Sequence, residues 1–195
     1  MGIKTEQIEA HWNYLLSIEN DLEEVSRFVE FHEDNFQCFS IEILRLLMAA
    51  AAEVDVVCKQ ICKIIDPKSK AGSINKYQEE IVKEYTSIPG FKVIMPRYGL
   101  ILQPWQNWGV QKRNPPLWWT AYNKIKHQRH THYNRGNLEN ALNAVAGLFV
   151  MVIYLYSEKA RLGELYPALK LLQVTEEHFG GQTMGSYEFG INYRI

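Results

Sequence analysis

The helical pattern that runs from Ser40 to about Ile65 constrains the fold more than any other part of the sequence. Its middle, LLMAAAAEVDVVC, is apolar almost all round a helical wheel. A helix that is apolar on every face needs neighbours on every side, because it would otherwise expose apolar surface to water. Ser40 is suited to cap the first turn, and Asp66-Pro67 ends the pattern. This segment is therefore predicted to be the central helix of a bundle.

Four further segments have helical apolar spacing, and one has β character. The helical segments span residues 5–31, 73–85, 117–130 and 137–161. FKVIM and YGLILQ, separated by Pro96-Arg97, predict a short β-hairpin insertion near residues 91–103. The predicted fold is mainly α, an up-and-down helical bundle of four to five helices with that insertion. The chain is interpreted as a single domain over 1–195, with a loosely held, glycine-rich tail from about residue 180.

Composition narrows the class of protein. The sequence is 47% apolar and 22% charged with a net charge of −1, as in ordinary globular proteins. Three cysteines do not make a disulfide framework, and Cys58 and Cys62, one helical turn apart, predict buried free thiols. The longest apolar run, 141–156, is shorter than the ~20 residues of a membrane span. We therefore expect a cytoplasmic protein with no membrane contact, no metal and no cofactor.

Charge is distributed unevenly along the chain. The 54 residues from Tyr85 to Leu138 contain no acidic residue, but they contain eight basic residues and three of the six histidines. Such a stretch attracts anions, either phosphates or an acidic partner. Alternatively, the acidic first helix packs beside it and neutralises it. The eight basic residues are Lys92, Arg97, Lys112, Arg113, Lys124, Lys126, Arg129 and Arg135.

The segment WWTAYNKIKHQRHTH, residues 118–132, combines aromatic and basic side chains on one predicted helix. At 100° per residue, Trp118, Tyr122 and Ile125 share a face that is expected to pack inward. A polar edge carries an amide, an amine and two imidazoles. These are Asn123, Lys126, His127 and His130. Arg129 falls on the aromatic side, where its guanidinium can stack on a ring or reach a phosphate. The alternative is a solvated helix end whose cations only complement the helix dipole.

Two neighbouring helices offer polar groups to this site. Asp55 lies on an apolar arc of the central helix, where an unpaired carboxylate would be costly. It either pairs with Lys59, one turn along, or reaches across to orient the basic groups of residues 118–132. Asn140 and Asn143 share a face of the last long helix, where they either border the same pocket or bond to backbone groups.

The sequence also resembles a known family. The segments SIEILRLLMAAAAEVDVVCK, PW, WWTAYNKIKHQR and NALNAVAGLF, within residues 10–157, resemble a group of uncharacterised bacterial helical-bundle proteins, which are in turn similar to the HEPN superfamily. This resemblance implies a compact bundle, often dimeric, with a basic cleft. Many HEPN members are metal-independent ribonucleases of toxin–antitoxin or antiphage systems. The implied partners are RNA or another phosphate-bearing ligand, a partner protein such as an antitoxin, and a second copy of the chain.

The resemblance also implies roles for individual residues. HEPN active sites pair an Arg with a His four to six residues later, supported by a polar or acidic residue on an earlier helix. Arg129 is instead followed directly by His130. Lys126, His127 and Arg129 then take the place of the basic catalytic group, and Asp55 that of the acidic support.

A further set of residues on and around that helix are candidates for nucleic-acid binding. They are Asn123, Lys124, His130, Arg113, Arg135 and Trp119. Trp119 belongs to a tryptophan-rich region that either stacks on bases or anchors a loop to the core. The competing hypothesis is a non-catalytic interaction module, in which the Lys, His and Arg side chains form a structural network with Asp55.

Overall fold

The computed structural model describes residues 9–110, 113–185 and 188–195, and it is mainly helical with small antiparallel sheets. The helices are α1 (Ala10–Val25), α2 (Ile41–Ile65), α3 (Ile74–Glu84), α4 (Asn107–Val110), α5 (Leu117–His132), α6 (Leu138–Leu155) and α7 (Ser157–Leu162). The strands are β1 (Val93–Met95), β2 (Leu100–Leu102), β3 (Gln173–Val174), β4 (Phe179–Met184) and β5 (Phe189–Tyr193).

Helices α2 and α6 form the centre of the molecule and begin at the same end of it. The Leu138 N–H donates to the Cys38 carbonyl at 2.9 Å, so the two N-termini lie side by side. Both predicted caps are confirmed, because the Ser40 and Asn137 side chains each accept a hydrogen bond from the first turn of their helix. The predicted central position of α2 is reflected in its burial, which extends along most of its length.

Helix α1 runs in the opposite direction to these two. His11, near its start, contacts Gln60 in the second half of α2 and Tyr156 just beyond α6. Helix α1 ends at Val25, short of the predicted residue 31. The predicted residues 5–8 lie outside the described part of the chain.

Helix α5 also runs opposite to α2 and α6. Trp118, at its start, packs against Gly147 in the second half of α6. Gly136, just beyond its end, packs against Leu44 near the start of α2. A loop before α5 is held in place by two indoles: Trp118 donates to the Pro104 carbonyl at 2.9 Å, and Trp105 donates to the Gly147 carbonyl at 3.2 Å.

Helix α6 is long and apolar enough to cross a membrane, but 78% of it is buried inside the protein. This is the burial of a core helix in a soluble protein. The helix ends at Leu155, and a separate short helix, α7, follows it where the sequence predicted one helix to residue 161. Cys58 and Cys62 are buried free thiols, as predicted.

The predicted hairpin is present, with Val93 opposite Leu102, and β3 adds a short third strand to it. The glycine-rich tail departs from its prediction. Residues expected to be loosely held form the antiparallel pair β4 and β5, and Tyr193 is only 4% exposed. The glycines permit close packing here, because a Cβ at Gly190 would overlap the carbonyl oxygen of Gly163.

Candidate nucleic-acid interface

Helix α5 is regular only as far as His127. Gln128 has φ −143° and ψ 55°, which interrupts the helix, and a short helical turn follows to His132. The helical wheel therefore predicts positions correctly before Gln128 and fails after it. Arg129, expected on the aromatic side, is exposed instead.

The inward face of α5 matches the sequence prediction. Trp118, Tyr122 and Ile125 are 2%, 6% and 0% exposed. Trp119 is a correction: it was a candidate for nucleic-acid binding, but it is only 6% exposed. Its ring lies 5.8 Å from that of Trp118 and 5.3 Å from that of Tyr122, centroid to centroid. Packed in this way, the Trp119 ring has no free face on which a base can stack.

The second half of α5 and the turn after it form an exposed basic surface. We call it the α5 basic surface; it comprises Lys124, Lys126, His127, Arg129, His130 and Arg135. None of these side chains forms an ion pair with a carboxylate of the described residues. The Lys126 ammonium lies 5.5 Å from the centroid of the Tyr122 ring, which accounts for its position. Asn123 is half-buried beside this surface.

Helix α1 does not neutralise this surface. Among its described acidic side chains, Glu23 pairs with Arg97, a basic residue of the acid-free stretch outside this surface, at 3.9 Å and with Lys170 at 3.7 Å. Arg113, a further candidate for nucleic-acid binding, is exposed but pairs with Glu79 at 3.5 Å. Hydrogen bonding to Lys76 and then to Arg113 lowers the pKa of Glu79, so this carboxylate stays charged and offsets the charge of Arg113.

Asp55 is a second correction, because it does not support the basic group of α5. The Tyr77 hydroxyl donates to Asp55 Oδ1 at 2.8 Å, and the Lys59 ammonium donates to Oδ2. Both carboxylate oxygens of Asp55 are thus bonded to side chains of α2 and α3, and among the described residues no ion pair joins Asp55 to a side chain of α5. Of the two predicted alternatives, Asp55 therefore pairs with Lys59 and does not form the network with α5.

A polar cleft of about 270 Å³ lies beside the first half of α5. One wall is formed by Thr120 and Ala121, and the start of α6 forms another. Its lining is rich in carboxamides: Gln37, Gln103, Gln106, Asn107, Asn137, Asn140 and Asn143. The sequence placed Asn140 and Asn143 on one face, but it gave no signal for Gln37 and Gln103, which come from distant parts of the chain. Arg135 lines the cleft and also belongs to the α5 basic surface, so the two features are continuous.

A second polar cluster, not anticipated from the sequence, joins α1 to α2. His11 Nδ1 lies 2.5 Å from Glu53 Oε1, and the Gln60 amide lies 2.6 Å from His11 Nε2. The carboxylate accepts from Nδ1–H and the amide donates to Nε2, which defines the tautomer. Both imidazole nitrogens are thus bonded within the protein, and the cluster serves to attach α1.

The described residues contain no group of histidine, cysteine and acidic side chains arranged to hold a metal ion. The chain matches no protein-family model, and no curated protein or solved structure matches it significantly.

Proposed function

We propose that this protein is an HEPN-like RNA-binding protein of the bacterial cytoplasm, and that its α5 basic surface holds RNA phosphates. The observation that carries the proposal is the group of exposed cations and imidazoles between Lys124 and Arg135 that have no carboxylate partner among the described residues. We take the alternating directions of α1, α2, α5 and α6 as the four-helix, up-and-down framework of such a protein.

Phosphate is the anion that suits this surface best. Arg129 and Arg135 each offer a planar fork of donors that matches phosphate oxygens, and the lysines add point charges. Several cations in a row favour a polyanion over a single carboxylate, because each neutralised phosphate releases counterions. Single-stranded RNA is a polyanion that also exposes base edges to the neighbouring cleft.

A salt titration tests the binding proposal. RNA affinity should fall with rising salt, with a logarithmic slope of about 0.7 per phosphate neutralised. Arg129→Gln should weaken binding to all sequences alike, and it should reduce the slope by the contribution of about one phosphate contact. Arg45→Gln is the matched control, because Arg45 is also exposed but pairs with Glu42 at 2.9 Å. Equal affinities for the two variants, or a slope near zero, would contradict the proposal.

Metal-independent RNA cleavage is the second candidate, favoured by the adjacent, exposed Lys126 and His127. In this chemistry His127 takes the proton of a ribose 2′-OH, whose oxygen attacks the neighbouring phosphorus. The bond to the 5′-oxygen breaks, and this oxygen takes up a proton from water. Lys126 and Arg129 stabilise the charge of the phosphorane. The products are a 2′,3′-cyclic phosphate and a 5′-hydroxyl end.

The cleavage assay is run in chelator with an RNA and its 2′-deoxy counterpart. We expect the RNA to be cleaved and its 2′-deoxy counterpart to stay intact, and we expect His127→Ala to abolish the cleavage. Binding without cleavage would leave the RNA-binding function in place and remove the catalytic one. If the protein cleaves RNA, the proposal extends to a toxin of a toxin–antitoxin or antiphage system, which acts as a homodimer and has an antitoxin-like partner. A toxin role predicts that His127→Ala relieves growth inhibition in bacteria.

A further inference from the structure

We propose that the polar cleft beside the first half of α5 is a base-recognition site, which holds one unpaired guanine of an RNA bound on the α5 basic surface. This inference rests on the proposed RNA binding and goes beyond it, because it assigns base preference to residues outside the basic surface. The starting point is the continuity of the two features, since Arg135 belongs to both.

The cleft contains oriented carboxamides whose oxygens have no protein donor. The side-chain nitrogens of Gln103, Asn140 and Asn143 donate to the carbonyls of Pro89, Arg135 and Glu139 at 2.9–3.0 Å. A backbone carbonyl only accepts, so the nitrogen must face it and each amide has a defined orientation. Within the described residues, the three side-chain oxygens that remain accept no hydrogen bond.

The only ionised groups in the cleft's described lining are Glu139 and Arg135. One carboxylate oxygen of Glu139 accepts from Gln37 at 3.2 Å, and its other oxygen has no protein donor among the described residues. The cleft thus presents at least four free acceptor oxygens, three from amides and one from Glu139, beside one cation. A complementary ligand carries several donors on one edge and a nearby phosphate or carbonyl for Arg135.

Guanine fits this pattern better than the other bases. Its Watson–Crick edge carries N1–H and a 2-amino group, a pair of donors that a carboxylate or amide oxygen can accept together. Adenine and cytosine have a single amino group there, and uracil has one N–H. The O6 and N7 atoms of guanine are the acceptors that arginine binds most often.

Size and lining agree with a single base. At about 270 Å³ the cleft lies just below the ~300 Å³ at which small-molecule sites begin. It therefore has room for one base and for no longer stretch of RNA. Pro104 and Leu117 give apolar contact for the faces of a base. Lys124, one turn beyond Thr120 on α5, lies where the adjoining phosphate would pass.

Three labelled RNA octamers test this inference: one of uridine only, and two in which a central uridine is replaced by guanosine or by inosine. Inosine lacks only the 2-amino group of guanosine. At fixed salt we expect the guanosine octamer to bind about tenfold tighter than the uridine octamer, with the inosine octamer between them. Glu139→Gln and Asn143→Ala should abolish the preference and leave the affinity for the uridine octamer within about twofold. Asn20→Ala, an exposed amide on α1, is the control and should retain the preference.

Failure of this inference differs from failure of RNA binding. Equal, salt-dependent affinities for all three octamers would overturn the guanine site and leave the proposed function standing. A guanosine preference that survives both cleft variants would also overturn it, since the preference would then arise elsewhere. Absence of salt-dependent binding to any octamer would overturn both proposals together.

Discussion

The Tyr77 hydroxyl donates a hydrogen bond to Asp55 Oδ1 at 2.8 Å, and this bond joins α3 to α2. Lys59 occupies the other carboxylate oxygen, so both oxygens of Asp55 are bonded within the protein. Burial, followed by the hydrogen bond to Asp55, raises the pKa of Tyr77 well above its ordinary value. Asp55 therefore stabilises the contact between two helices and takes no part in the α5 basic surface.

Tyr77→Phe should lower the free energy of unfolding by about 1 kcal/mol, because it removes one hydrogen bond while the ring stays in place. The half-exposed carboxylate keeps Lys59 and gains water, which limits the loss. Chemical denaturation measures the change. RNA affinity should stay the same, since the oxygens of Asp55 are bonded to Tyr77 and Lys59 and, within the described chain, to no side chain of α5. A fall in RNA affinity with unchanged stability would show that Asp55 serves the α5 site after all.

Local signals in the sequence predicted much of this structure. The caps at Ser40 and Asn137 and the inward face of α5 depend on residues within a few positions of each other, and all are confirmed. The helical wheel failed at Gln128, because it assumes an unbroken helix. The apolar pattern alone gave no sign of that interruption.

Long-range pairings were not predictable in the same way. Asp55 had several candidate partners of suitable charge, and only the path of α3 places Tyr77 against it. Gln37 and Gln103 reach the cleft from separate parts of the chain, and neither belongs to a recognisable pattern. Glycine in the tail indicated flexibility, whereas the fold uses Gly190 for close packing.

Gly190→Ala tests whether the C-terminal hairpin is held against the rest of the protein. A Cβ at this position would overlap the backbone of Gly163, so the hairpin must shift, and we expect a loss of about 2–3 kcal/mol in the free energy of unfolding. Gly90→Ala is the matched control, because nothing lies within 4 Å of a Cβ there and the change should stay within about 0.5 kcal/mol. Equal stability of the two variants would mean that the hairpin is not packed as described.

Stability should depend on pH in the alkaline range. Burial, followed by the nearby Glu80 carboxylate, raises the pKa of the Cys62 thiol from 9.0 to about 12. Below pH 9 the thiol is protonated in both the folded and the unfolded chain, so its contribution to stability is fully present. Between pH 9 and 12 the unfolded chain loses its proton first, and the free energy of unfolding must fall.

Denaturation curves measured from pH 7 to 11 should show this fall, and Cys62→Ala should make it shallower. Tyr77 and Tyr193, whose pKa values burial also raises, maintain part of the slope in the variant. Cys38→Ala, which removes an exposed thiol, is the control and should leave the slope unchanged. An identical slope in the Cys62 variant would contradict the assigned burial of this thiol.

Trp119→Leu separates a core role for this indole from a role in base stacking. Leucine keeps apolar bulk but removes the aromatic face, so the free energy of unfolding should fall by about 1–3 kcal/mol through imperfect packing beside Trp118 and Tyr122. Phe28→Leu, at an aromatic that is 85% exposed, should change stability by less than about 0.5 kcal/mol. RNA affinity of folded Trp119→Leu should remain within about twofold of wild type. Stacking on Trp119 predicts instead a loss on the order of 1–3 kcal/mol in binding, at least fivefold in affinity, which a titration with labelled RNA would detect.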